Sequence, residues 1–273
     1  MTTGEGKAPG SNNGIVAALR DFVAEAKRLP LQVTVVFIGT ALAGIGSRYI
    51  GSRRFFRAEF FDTLRTDALY PLYEYLYWFA SEVLWYFLLP ILLVIVVLRK
   101  NPVDFGLRLG DVRFGLKVSA IFYAVMVPIL WIVSDMSSFQ EMYPHVLLVR
   151  DDWELFMIYE AGLILYFIGW EYIWRGFMLF GLAPHTGGGV AILIQTIPFV
   201  ILHYGKPMPE TIGAVIAGIA LGALALRTRS FWYCVLIHWS VMITIDVFCT
   251  VRHRAGISGI GIEALSNFIG YLL

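Results

Sequence analysis

Long apolar runs, each about as long as a bilayer core is thick, alternate with short polar joints along this 273-residue chain. That pattern decides most of what the chain can fold into. Lipid offers a backbone no hydrogen-bond partner, so each run must satisfy its own N–H and C=O groups. Continuous apolar runs do this as helices. An outer-membrane barrel would need short strands with alternating polarity, which the sequence lacks. On a criterion of about 20 mostly apolar residues per span, candidates fall at 31–50, 70–98, 114–134, 155–182, 188–203, 211–226 and 231–251. A Gly-rich piece at 257–273 is either a last short helix or a surface segment. The expected fold is all-α, a polytopic transmembrane helical bundle of about seven to eight spans. Residues 31–273 are expected to form a single transmembrane domain, with the chemistry between 155 and 250.

Composition agrees. Hydrophobic residues make up 58% of the chain and charged residues 15%, where a soluble domain has about half and a quarter. A net charge of +1 argues neither for nucleic acid nor for an acidic partner, and no nucleic acid is expected. The expected partners are membrane lipid and a membrane-associated protein or peptide. Cys234 and Cys249 lie in one apolar segment without metal-type spacing and read as packing residues.

Residues 1–14 are rich in Gly, Ser and Asn and read as a disordered tail, not a signal peptide. Ile15, Leu19, Phe22, Val23, Ala26 and Leu29 then recur at helical spacing opposite Arg20, Asp21, Glu25 and Lys27. This amphipathic helix, completing a segment 1–30, either lies on the membrane surface or docks on the protein.

Loop charges suggest an orientation. The basic stretch with Arg99, Lys100, Arg108, Arg113 and Lys117 reads as cytoplasmic, and the acidic one with Asp151, Asp152 and Glu154 as external. The N-terminus is then cytoplasmic, in a cell membrane expected to be bacterial or archaeal. Arg53, Arg54, Arg57 and Arg65 run against this rule. In the sixth span, Ala214, Gly218 and Gly222 form a small-residue stripe that admits a close neighbouring helix.

Ionisable residues within spans are costly and point to function. Glu171 and Arg175 stand one helical turn apart in Trp170-Glu171-Tyr172-Ile173-Trp174-Arg175, the acid first, so they can pair on one face. A structural ion pair is the plainer reading. His203 ends the fifth span and His238 sits midway through the seventh. A lone histidine on an apolar helix is usually a packing residue. Two beside a buried acid–base pair suggest proton chemistry. Glu82 and Glu160 lie in apolar surroundings, and Glu160 lies about three turns before Glu171 on a shared face. Glu210 can cap the sixth helix. Asp246 follows His238 by two turns. His145, His185 and His253 fall in loops or at helix ends and are expected to be solvated.

Three segments, in order, resemble the CAAX-protease and bacteriocin-processing family of intramembrane proteases. Glu171 to Arg175, then Gly176, resembles the family's Glu-Glu-x-x-x-Arg; Phe199 to His203 matches Phe-x-x-x-His; His238 resembles the start of His-x-x-x-Asn/Asp. The likeness covers 155–246. Two positions depart from it: Trp170 stands in place of the first acid, and Met242 in place of the Asn or Asp. The resemblance implies hydrolysis of a peptide bond in or near the membrane. Glu171 would activate water, His203 position it, His238 stabilise the oxyanion and Arg175 fix Glu171. Asp246 or Ser240 would replace the absent Asn. The resemblance implies no cofactor, although two His and one Glu also make a zinc set. Two other readings stay open. One is a catalytically silent membrane scaffold on the same fold, motivated by Trp170 and Met242. The other is a small transporter, against which stands the absence of duplicated halves.

Overall fold

The computed structural model describes residues 11–273. The expected tail falls outside them up to residue 10, and residues 11–14 open a helix instead. This helix, α1 (Ser11–Arg28), leaves Ile15, Leu19 and Phe22 exposed, so the bundle does not cover its apolar face. No strand occurs among the described residues.

Helices α2 (Leu31–Tyr49) and α3 (Arg53–Leu64) join at a bend where the Ser52 side chain caps the Phe55 N–H. Arg57 donates twice to Glu74, at 2.6 and 2.7 Å, and Arg53 lies 3.4 Å from the same carboxylate. Two of the four arginines that break the charge rule thus share one carboxylate, which offsets one of their two charges. Helix α4 (Tyr70–Val97) contains Pro90, which has no N–H to give, and its turns widen on either side over Val83–Leu88 and Leu93–Val97. Helix α5 (Val112–Val133) is capped by Asp111, and the short α6 (Ser137–Met142) follows.

Helix α7 (Trp153–Thr186) is the centre of the bundle. Asp152 caps it through the N–H groups of Glu154 and Leu155. It is apolar all round, as a helix enclosed by others must be. Gly169 lets it touch α4: a Cβ there would stand 2.4 Å from the Glu82 carbonyl oxygen. Helices α8 (Gly188–Ile201) and α9 (Met208–Thr228) form an antiparallel pair. The small-residue stripe faces α8, because a Cβ on Gly218 would meet Thr196 at 2.7 Å. The Gly218 carbonyl accepts from Gln195 Nε2 at 2.8 Å. Helix α10 (Trp232–Ala255) packs on α5 and α7 and ends at Gly256, in the left-handed conformation. The amphipathic α11 (Ile262–Leu272) closes the chain.

Six helices are long and apolar enough to cross a membrane, in place of the seven to eight expected. The shortfall is α8, whose 14 residues rise about 21 Å against a core of about 30 Å. It ends at Ile201, so His203 lies just past its end in a turn. Arg252, which sequence inspection passed over, is 2% exposed and ties α10 to Ser134, Asp135 and the Gly259 carbonyl. Both cysteines are free and buried, as expected.

Candidate active site

Glu171 sits where α7 changes from regular turns to the wider ones of Tyr172–Met178. Such widened turns often re-aim side chains at functional sites. Its carboxylate and the Arg175 guanidinium are both fully buried, with Nη1 at 3.0 Å from Oε2 and 3.2 Å from Oε1. Across the interface, His238 of α10 places Nδ1 2.6 Å from Glu171 Oε1. The ion pair expected from spacing thus forms, and His238 completes a three-residue constellation. The guanidinium carbon of Arg175 stands 3.9 Å from the centre of the Phe199 ring. Its Nε and Nη2 have no partner.

His203 joins from the turn after α8. Its Nδ1 meets the Phe199 carbonyl oxygen at 2.6 Å, a contact in which the ring must donate. That leaves Nε2 with a free lone pair. Phe199 packs near both imidazoles, its ring centre 4.5 Å from that of His203 and 6.2 Å from that of His238. Trp170 lies 5.9 Å from His203 and stacks on Tyr166 at 5.6 Å. So the residue in place of the family's first acid walls the site with an aromatic face. Its own Nε1 is buried without a partner.

The other ionisable residues go elsewhere. Asp246 neighbours Glu160 and makes no hydrogen bond to His238. The Ser240 carbonyl accepts from Thr244. Met242 is buried. Glu82 accepts from Ser47 and Trp78, both at 2.7 Å, away from either histidine. Glu160 and Glu171 do share the face of α7 that meets α10, as their spacing implied.

One expectation needs correction. His253 and His185 are exposed as expected, but His145 is half-buried and bonded through both ring nitrogens. Its Nδ1 donates to the Met142 carbonyl, and its Nε2 accepts from Lys206 at 2.7 Å. Lys206 also donates to the Tyr143 hydroxyl, which donates to Glu210. This clasp ties the loop before α7 to the turn that carries His203. Burial holds His145 well below its ordinary value of 6.5, and the Lys206 ammonium pushes the same way. Nothing in local sequence spacing joins residues 61 positions apart.

Among the described residues, no group of three or more His, Cys, Asp or Glu side chains stands in a metal-ligating arrangement. Glu171, the acid of the alternative zinc set, accepts from Arg175 and His238 at Oε1, and its Oε2 has no hydrogen-bond partner.

Fold and site together define an integral membrane protein, a helical bundle with a buried acid–histidine–arginine centre. Residues 152–244 match the family described as Rce1-like, type II CAAX prenyl endopeptidase. That segment, about a third of the chain, holds Glu171, Arg175, His203 and His238, and in it the chain is similar to that family. No curated protein and no solved structure matches the chain.

Proposed function

We propose that the chain is an intramembrane endopeptidase whose centre is the Glu171–His238 pair. The observation that carries this is the 2.6 Å contact between Glu171 Oε1 and His238 Nδ1 inside the family-matched segment. A carboxylate that accepts from a guanidinium and an imidazole at Oε1, with the guanidinium 3.0 Å from Oε2, is a weak base toward water. It is well suited to orient the imidazole and to stabilise it once protonated. We therefore assign water activation to His238 Nε2, with Glu171 behind it, and not to Glu171 itself as the family likeness implied. In this scheme His238 takes a proton from water as the oxygen attacks the scissile carbonyl, and returns it to the leaving amine. His203, its Nδ1 committed to Phe199, holds the water through Nε2. Arg175 fixes Glu171 and keeps it ionised.

The substrate class is a membrane-associated protein or peptide. The family description adds a prenylated C-terminus as the first candidate. The reaction is written without a metal, as the family likeness implied, and the chelator arm of the test below decides that choice. The test is cleavage of a library of membrane-anchored reporter peptides by the purified chain in detergent. Wild type would be compared with Glu171→Gln, His203→Ala and His238→Ala, each with and without a strong chelator. Cleavage lost in all three variants and unaffected by chelator supports the scheme. Loss with chelator and recovery with zinc would replace it with a metal centre. Absence of cleavage by the wild type on every reporter would make the silent scaffold, motivated by Trp170 and Met242, the better reading.

A further inference from the structure

Apart from the candidate active site, the least satisfied place in the bundle is a second contact between α7 and α10. Glu160 is 1% exposed and Asp246 fully buried. Their carboxyl groups are close neighbours where α7 packs on α10. Yet none of the four oxygens has a donor in the structure, and neither residue joins an ion pair among the described residues. The Tyr159 hydroxyl, fully buried beside both acids, also lacks a partner. Trp239 Nε1 faces Glu160 without closing a bond of good geometry. Lys206 and Glu210 face Asp246 from the α8–α9 side, and Arg150 from the turn before α7. Tyr143 and Cys249 complete the titratable groups around it.

Two ionised carboxylates cannot sit in contact in an apolar interior without a cation between them. One proton removes the repulsion and turns the contact into an O–H···O⁻ hydrogen bond. A metal cation would need a larger cage of ligands than these two side chains supply.

We propose that Glu160 and Asp246 form a proton-binding site that holds one proton between their facing carboxyl groups. The same two helices carry Glu171 and His238. The proton thus joins α7 to α10 at a second level, and its loss leaves like charges pressing them apart.

The test is thermal unfolding of the full-length, detergent-solubilised chain from about pH 6 to about pH 9. Wild type is compared with Glu160→Gln, Asp246→Asn and the double variant, whose amides carry their own donors. The wild-type midpoint should fall with rising pH more steeply than that of the variants. Wild type should also release about one more proton per chain on unfolding at about pH 8 than the double variant does. Equal slopes and equal proton counts overturn the proposal. Should the variants fail to fold, infrared spectra in a Glu82→Gln background decide it, since that change removes the other unpaired buried carboxyl. A protonated-carboxyl band at about pH 8 supports the site, and its absence overturns it. A midpoint raised by sodium but not by choline, with no such band, assigns the site to a metal cation and overturns it too.

Discussion

Glu171 and His238 reach each other from helices whose sequence positions are 67 apart, and they meet at 2.6 Å with one partner fully buried. On its far side the same carboxylate is held by Arg175, so the acid is braced from two directions.

His238→Ala should abolish cleavage while leaving the fold intact. His238 has a partly exposed side chain and leaves Glu171 still paired with Arg175. Loss of a positioned base costs about 10²–10⁴ in rate. Turnover and thermal midpoint, measured on the same preparation, check this; unchanged turnover would remove His238 from the chemistry.

Arg175→Ala should damage folding before activity can be assessed. It strands a fully buried carboxylate, a class of change worth about 3–5 kcal/mol. Arg175→Lys keeps the charge but not the forked geometry and should retain partial activity. Full activity with an unshifted midpoint in Arg175→Ala would show that the ion pair contributes nothing.

Met242→Asn places an amide four residues after His238, the position the family fills with Asn or Asp. A single oxyanion donor is worth about 10²–10³ in rate when removed elsewhere. The variant should therefore cleave faster than wild type, by about tenfold or more. A rate equal to or below wild type would mean that the carbonyl oxygen does not lie near residue 242.

The His145–Lys206 clasp gives a pH prediction with a definite sign. The folded-state value of His145 lies below its ordinary 6.5. As pH falls below that ordinary value, the unfolded chain binds a proton that the folded one refuses. Stability is therefore lost toward acid and unaffected above it. Midpoints recorded across this range should decline in wild type and decline less in His145→Gln, whose amide oxygen still accepts from Lys206.

Gly169→Ala tests the α4–α7 contact. The added methyl would stand 2.4 Å from the Glu82 carbonyl oxygen, and backbone cannot yield as a side-chain tip can. Overpacking of this kind costs about 1–3 kcal/mol. A midpoint equal to wild type would show that the helices separate freely there.

The sequence by itself determined that the chain is a helical membrane bundle, because an apolar run in lipid has so few ways to satisfy its backbone. It also determined the Glu171–Arg175 pair, since four-residue spacing on a helix is a local matter, and the small-residue stripe of α9. The family's motif order marked His203 and His238 as well. What only the tertiary structure decided was which residue each of these meets. The helical repeat says which face a side chain occupies but not which helix lies opposite. So His238 could be marked, but not seen to hold Glu171 through Nδ1, and that contact is the ground for proposing the imidazole, not the acid, as the base. For the same reason Asp246, two turns from His238 and a natural stand-in for the absent Asn, proved to face Glu160. His145 was expected to be solvated because it lies in a loop, and the fold packed that loop against Lys206. Long-range pairing depends on how helices cross, and crossing is set by many small contacts, such as those at Gly169 and Gly218, that no single stretch of sequence specifies.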